Sequence, residues 1–442
     1  MVWHDTLGRD LAATGLSVVE ERAVWRLIRH VPLPADLFPP ATDHRVIAEA
    51  ATAHALPLDH AAALTPVAAF VGRRTVTTLS IESETVTMTL LDGALRAVAA
   101  ERPLARLILD GPDEAVRILI LALNEQVALS VPDHGLAALA IALADGSTSG
   151  PRRLGAPELA ADLVSPRDAF VHIISHLACV INHWAPIVAD AASGPDPVHQ
   201  IRVAVRRARS AIAVFTAAME PAALVFAAAG LKHLSGGLGP ARDWDVFVTE
   251  TAATVEAALP GRVDVGALAR AARRKRHTAR AALAAWLRAP EFRVLTLELA
   301  CLAARTDAPR DTPDLTAFAA AALGARMKKL RRDGKRLEQL DDPALHVLRL
   351  KAKRMRYAAE FFAPLFPRKA TDRFIDRLAA LQERLGVFND TAVAEALLGQ
   401  LAARPSHAAG IVLGFTAARG GRIRPRIQRA WARLADRTAF WE

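Results

Sequence analysis

The strongest constraint on this chain is that part of it occurs twice. His199-Gln-Ile-Arg202-Val-Ala-Val-Arg206-Arg207-Ala-Arg209 recurs as His346-Val-Leu-Arg349-Leu-Lys-Ala-Lys353-Arg354-Met-Arg356, 147 residues later. Leu231-x-x-Leu234-x-x-x-Leu238-Gly239 recurs as Leu378-x-x-Leu381-x-x-x-Leu385-Gly386, and Asp243 recurs as Asp390, at the same offset. Separate motifs that share one register imply a duplicated unit. Two similar helical bundles can then pack about a pseudo-twofold axis.

The rest of the chain divides around this duplication. Residues 1–146 have mixed character. Thr75–Leu79 and Thr85–Leu91 are rich in β-formers, and the second alternates Val86, Met88, Leu90 with threonines. Asp92-Gly93 reads as a turn after it. Residues 42–55 and 112–128 read as helices. Residues 147–164, which include Gly-Ser-Thr-Ser-Gly-Pro, have linker composition. Residues 165–442 read as almost wholly helical, with prolines between periodic segments and the repeats at about 165–310 and 311–442. The expected architecture is therefore multi-domain, α+β followed by all-α.

Each repeated segment is amphipathic. At ~100° per residue, Ile201, Ala204, Val205, Ala208, Ile212 and Phe215 share one face of the first helix. His199, Arg202, Arg206 and Arg209 share the other, with Arg207 at its flank. His346, Arg349, Lys353, Arg354 and Arg356 take the same places on the second helix, where Tyr357 joins them and Lys351 strays toward the apolar side. Arginines at this spacing repel one another by a few tenths of a kcal/mol per pair, and no acidic neighbour on the first helix relieves that. Arg273, Arg274 and Arg276 lie on one further basic helix. Lys328, Lys329, Arg332 and Arg336 lie on another, whose core stripe is Leu323, Met327, Leu330 and Leu337. A charged helix face can be merely solvated, but a duplicated one with basic neighbours points to an anion.

Charge distribution agrees. Residues 1–165 hold 13 Lys+Arg and 20 Asp+Glu; the remaining residues hold 43 and 26, and no lysine precedes Lys232. A field of that kind recruits polyanions. No helix-turn-helix or zinc site marks a sequence-specific nucleic-acid binder. The single tyrosine leaves the basic faces almost without stacking platforms for bases. Guanidinium forks and ammonium groups suffice for phosphate itself. A bare phosphate polymer is therefore favoured over nucleic acid, although contact with a DNA backbone alone would use the same groups.

Other chemistry is thinly represented. Two cysteines, Cys179 and Cys301, make neither a disulfide framework nor a zinc knuckle and suggest a reducing, cytoplasmic compartment. The N-terminus has no signal-peptide pattern, and the uninterrupted apolar runs fall short of a membrane span. Asp110-Gly-Pro-Asp113-Glu reads as a helix entry. His172 and His176 have a metal-pair spacing, but no third ligand is evident. No phosphate-binding glycine loop, nucleophile elbow or catalytic triad is recognisable. The expectation is no catalytic residue, no metal and no cofactor.

The duplicated segments resemble the CHAD domain (conserved histidine α-helical domain) over about residues 165–442. The residues that carry the resemblance are the two His-x-x-Arg helices, Leu238-Gly-x-x-Arg-Asp-x-Asp245, Lys353-Arg-x-Arg-Tyr357 and Gln382-x-x-Leu-Gly-x-x-Asn-Asp390. The resemblance implies two four-helix bundles with a basic groove between them. It also implies binding of inorganic polyphosphate and, in some members, location at polyphosphate granules. It makes His199, Arg202, Arg206, Arg207, Arg209, His346, Arg349, Lys353, Arg354, Arg356 and Tyr357 the ligand-facing candidates. Arg242, Asp243 and Asp390 look like ties between helices.

Residues 1–146 resemble a degenerate CYTH domain, a triphosphate-tunnel fold that often precedes CHAD. Trp3-His4-Asp5-Thr6, Leu11-Ala-Ala-Thr-Gly15-Leu, Leu64-Thr-Pro66-Val, Arg73-Arg74 and Leu91-Asp92-Gly93 fit in order. The opening Glu-x-Glu-x-Lys strand is missing. The strand that should alternate glutamates reads Leu104-Ala-Arg106-Leu-Ile108-Leu, and the late Ser-Lys position falls near Val131-Pro-Asp133-His134. Triphosphate hydrolysis there needs metal-holding carboxylates and phosphate-holding cations. The expected function is non-catalytic polyphosphate binding. A residual triphosphatase fed by a polyphosphate-holding module, and a non-specific nucleic-acid binder, are the alternatives.

Overall fold

The computed structural model describes residues 1–29, 46–58, 63–132, 135–147, 156–159, 163, 165–190, 194–304, 314–401, 406–420, 423–435 and 439–441. Most of the expected linker lies outside them, as do Asp133 and His134. The chain forms two compact units. One comprises Met1–Leu154, Ile174–His183 and Arg293–Ala308. The other comprises Gly155–Ile173, Trp184–Phe292 and Pro309–Glu442.

The first unit is built on an antiparallel sheet: β1 (Val2–Asp5), β2 (Leu16–Glu21), β3 (Val24–Arg29), β4 (Val46–Ala50), β5 (Thr65–Ile81), β6 (Glu84–Ala97) and β7 (Glu101–Asp110), in the order β4-β3-β2-β1-β5-β6-β7. The short helix α1 (Asp10–Ala13) follows β1, and α2 (Asp113–Gln126) and α3 (Leu136–Ala144) follow β7. This strand-rich region is consistent with a tunnel-like CYTH domain. Trp3, Val19, Phe70, Leu91 and Leu95 form a core against Ala140 of α3. Asp5 fixes the β1 exit, where it accepts from the amides of Thr6, Leu11 and Ala12 at 2.7, 3.0 and 3.0 Å.

Two sequence expectations fail in this unit. Residues 46–50, within the expected helix 42–55, form β4, which pairs with β3; apolar alternation fits the sheet surface better than a helix stripe. Asp92-Gly93 makes no turn. Gly93 sits inside β6 opposite Gly72 of β5. A Cβ on Gly93 would overlap the Val71 carbonyl, and one on Gly72 the Asp92 carbonyl. Both positions are glycine because the strands approach closely there. The hairpin turns instead at Glu82 and Ser83, whose φ values are 48° and 73°.

The helices are α4 (Pro166–Ala189), α5 (Pro195–Phe215), α6 (Pro221–Val246), α7 (Ala253–Ala258), α8 (Val263–Arg288), α9 (Pro290–Ala304), α10 (Leu315–Gly334), α11 (Asp342–Phe362), α12 (Arg368–Leu401), α13 (His407–Gly420) and α14 (Ile423–Ala435). A π-helical turn, Phe247–Ala252, joins α6 to α7. Their starts are written locally. Ser165, Asp314 and Asp341 cap α4, α10 and α11 through side-chain oxygens, and proline occupies the first turn of α4, α5, α6 and α11. Pro186 and Pro240 nevertheless lie inside helices, contrary to the reading that prolines separate them.

The duplication is structural. Shifting the bounds of α5 by 147 residues gives those of α11, and the 3-10 turn Thr216–Ala218 maps in the same way onto Ala363–Leu365. α6 maps onto the first part of α12, and α8 maps onto the region of α13 and α14. In the second unit α5 packs on α6, α11 on α12, and α5 of one repeat on α11 of the other. Phe215 and Phe362, equivalent in the two repeats, meet there at 5.5 Å between ring centroids, with Phe318 at 5.4 Å from Phe215. The apolar faces read from sequence are inside: Ile201, Ala204, Val205, Ala208, Ile212, Phe215, and on α10 Leu323, Met327 and Leu330, are all buried.

Whole helices correct one further expectation. By length and hydropathy alone, α4 and the run Pro221–Ala258 reach what a membrane span needs. Both have core faces in the fold, with Phe170, Ile173, Ile174 and Ile181 buried on α4 and Leu224, Leu231, Leu234 and Leu238 on α6.

Candidate anion-binding site

The contact of α5 with α11 decides which cations meet. With their apolar faces turned into the core, the polar faces bring Arg202 and Arg206 of α5 into the electrostatic reach of Arg349 and Lys353 of α11. Four positive groups, two from each repeat, form one cluster. Little neutralises them. Asp243 of α6 lies 3.6 Å from Arg202. Asp390, its equivalent on α12, acts on Arg349 and Lys353. The Nε atoms of Arg206 and Arg349 are buried with no hydrogen-bond partner among the described residues.

The titration of the cluster reflects this imbalance. Burial, then Arg349, Arg206 and Arg202, lower the Lys353 amine to about 7, against the pull of Asp390. Burial is the main cause that lowers Arg202 and Arg349 as well. Burial raises the Asp243 carboxyl, although Arg202, Arg242 and Arg349 oppose it. The half-buried His199 imidazole is held below its usual range by burial and then by Arg242 and Arg206. Burial and like charge both oppose the charged state of this cluster, and a negative ligand would relieve the repulsion.

The other expected residues are placed differently. Glu360 of α11 accepts from Arg356 at 2.7 Å and from Arg207 at 3.1 Å. It thereby ties the two repeats together, with one negative charge shared between two guanidiniums. Tyr357 is buried beneath Arg206 and Arg207, whose guanidinium carbons lie 5.4 and 5.9 Å from its ring centroid; the ring is a platform for arginine, with little surface left for a base. Arg209 donates to Ser235 Oγ at 3.2 Å. Arg354 is exposed beside Arg326, which itself donates to the Ala213 carbonyl at 2.8 Å. His346 is exposed. On α8, Arg273 pairs with Glu256 at 2.6 Å, Arg274 is exposed and Arg276 half-buried. On α10, Lys328, Lys329 and Arg332 are exposed; Arg336, expected on the same helix, lies past its end at Gly334 and is exposed before the 3-10 turn Leu337–Gln339.

Sequence reasoning missed Glu360. Its place four residues after Arg356 signalled the first ion pair, but nothing local signalled Arg207, 153 residues away. It also missed Asp245, fully buried and held by Arg280 through two hydrogen bonds of 2.9 and 3.0 Å that lock α8 to α6. Lys351, which seemed out of place, is accounted for by an ion pair with Asp333 of α10.

In the first unit, the charged side chains of the sheet pair with one another. Glu21 contacts Arg74 at 2.6 Å and Arg26 at 3.4 Å, and Arg26 also reaches Glu49 at 2.6 Å. His4 contacts Glu20 at 3.1 Å. Among the described residues no three His, Cys, Asp or Glu side chains are grouped to hold a metal ion. His172 is bonded to the Glu158 carbonyl at 2.7 Å. Neither cysteine is in a disulfide, and burial with Glu298 nearby pushes the Cys301 thiol up to about 12, far from a reactive thiolate.

The CHAD domain description matches residues 172–399, just over half of the chain. The crystal structure of the CHAD domain from the plant Ricinus communis is similar at 30% identity and a TM-score of 0.57, covering 66% of this chain and 99% of that one. PptA from Streptomyces chartreusis is similar at 16% identity and a TM-score of 0.47, covering 61% and 100%. No curated protein matches. The duplicated helices, the residues they carry and this coverage place the chain in the CHAD domain family.

Proposed function

We propose that the helical region binds inorganic polyphosphate, without catalysis, between its two repeats. One observation carries the reading: Arg202, Arg206, Arg349 and Lys353 come from both repeats to one cluster in which positive charge exceeds its carboxylate partners. A flexible polymer of phosphates can satisfy several such donors at once by charge-assisted bonds. Nucleic acid is disfavoured because the one tyrosine is buried under arginine. The N-terminal sheet is proposed to be a scaffold or partner surface, since Glu21 and Glu49 are engaged by Arg26 and Arg74 and are poorly placed to hold a metal. Capture of long phosphate chains would also carry the protein to cytoplasmic polyphosphate granules.

Titration calorimetry with polyphosphates of defined length, at several salt concentrations, tests the reading. Binding that weakens steeply with salt and resists competition by duplex DNA of matched charge is expected. Equal competition by DNA, or no binding, would refute it. For the sheet, triphosphate hydrolysis with Mn²⁺ is expected to be absent; turnover abolished by Asp92→Ala would reverse that part.

A further inference from the structure

The four cations of the cluster are not chemically equivalent. An arginine in a protein keeps its proton at any ordinary pH, whereas a crowded, desolvated lysine releases it. The pseudo-symmetric pair Arg206 and Lys353 differs in this one respect. Only Lys353 among the four can relieve the repulsion by losing charge.

The charges around Lys353 are defined on every helix packed against α11. α5 contributes Arg202 and Arg206, α11 itself contributes Arg349, and α12 contributes Asp390. α6 acts at one remove, with Asp243 and Arg242 on Arg202. On α10, Asp333 holds Lys351, Arg326 lies beside Arg354, and Lys328, Lys329 and Arg332 are exposed. The geometry agrees: Arg349 precedes Lys353 by one turn of α11, and Arg206 of α5 lies 5.4 Å from the ring centroid of Tyr357, one turn after it, with the Nε atoms of both arginines buried and unbonded among the described residues. Guanidiniums therefore crowd a half-buried amine that has one carboxylate acting on it, where water screens them weakly.

Resting on the anion-binding reading above, we propose that capture of a phosphate chain is coupled to protonation of Lys353: as the chain enters between Arg202, Arg206 and Arg349, the amine takes up a proton from solvent. The internal phosphates of the chain are already fully ionised in this range, so the proton goes to the protein. The sign follows from linkage. A ligand that raises the proton affinity of a site binds less well as pH rises above the free value of about 7. Affinity should fall up to about tenfold per pH unit there, and it should level off about one unit below neutrality, where the amine is charged before binding.

The test is calorimetry on the full chain with long-chain inorganic polyphosphate, whose titratable end groups are few. It is run at about pH 8 in two buffers of different ionisation enthalpy, so that the difference in heat counts protons. Wild type is expected to take up most of one proton per site, since the free value of about 7 lies below this pH. Lys353→Arg is expected to bind with no uptake and with affinity independent of pH; Arg206 shows that arginine suits the equivalent place. Lys353→Met should bind more weakly, also without uptake. Wild-type binding without proton uptake, or uptake that survives Lys353→Arg, overturns the inference and leaves the anion site standing. Absence of binding in every variant overturns both.

Discussion

Replacement of Arg206 and Arg349 by glutamine removes two of the four clustered cations, one from each repeat, and leaves a shorter, uncharged polar side chain at each place. Each neutralised phosphate contributes about −0.7 to −0.9 to the slope of log affinity against log salt. Four contacts give a slope of about −3, and two give about −1.5. Each charge-assisted hydrogen bond contributes about 1.5–3 kcal/mol. The lower end applies here, because the free protein is also relieved of repulsion when the guanidiniums go. The double variant should therefore lose about 3 kcal/mol, on the order of a hundredfold in affinity. Stability should move the opposite way. Both Nε atoms are buried without a partner, and Arg206, Arg349 and Lys353 repel one another, so the ligand-free variant should unfold at a slightly higher temperature. Arg368→Gln is the control, since that side chain is 94% exposed and faces Asp372 at 3.6 Å. Isotherms at four salt concentrations, with thermal unfolding of the free proteins, read out every part. An unchanged salt slope, a loss matched by Arg368→Gln, or a destabilised variant would show that the two arginines hold the fold together and do not face a ligand.

Two further predictions concern the frame around the site. Glu360→Gln removes the carboxylate shared by Arg207 and Arg356, whose side chains are 17% and 34% exposed. Leaving such charges unpaired should cost about 3 kcal/mol in urea unfolding, and a cost under about 1 kcal/mol would mean the bridge between repeats is dispensable. Gly334→Ala ends α10 with a better helix former, worth about 1 kcal/mol, but the added methyl would overlap the Trp431 indole. A net loss of about 1–2 kcal/mol is expected by thermal unfolding, and a stabilised protein would contradict the packing described.

Much of the fold is legible in the sequence because its causes are local. Apolar residues at helical spacing on α5 and α10 name their own core faces, and capping aspartates and first-turn prolines name the starts of helices. Local signals misled where a distant partner outweighed them. The β4 segment is drawn into the sheet by pairing with β3. Asp92-Gly93 is held straight because Gly72 lies against it on the next strand.

The candidate site divides along the same line. The sequence by itself determined that the helical half is duplicated, that each copy carries a basic face opposite an apolar one, and that the charge surplus lies in that half. Those properties follow from residue order and helical period alone. Only the tertiary structure decided that Arg202, Arg206, Arg349 and Lys353 gather into one cluster while Arg207 and Arg356 are consumed by Glu360. Helix period fixes which face a side chain is on, but its counterion comes from the helix packed against that face. For α5 and α11 that neighbour is nearly 150 residues away along the chain.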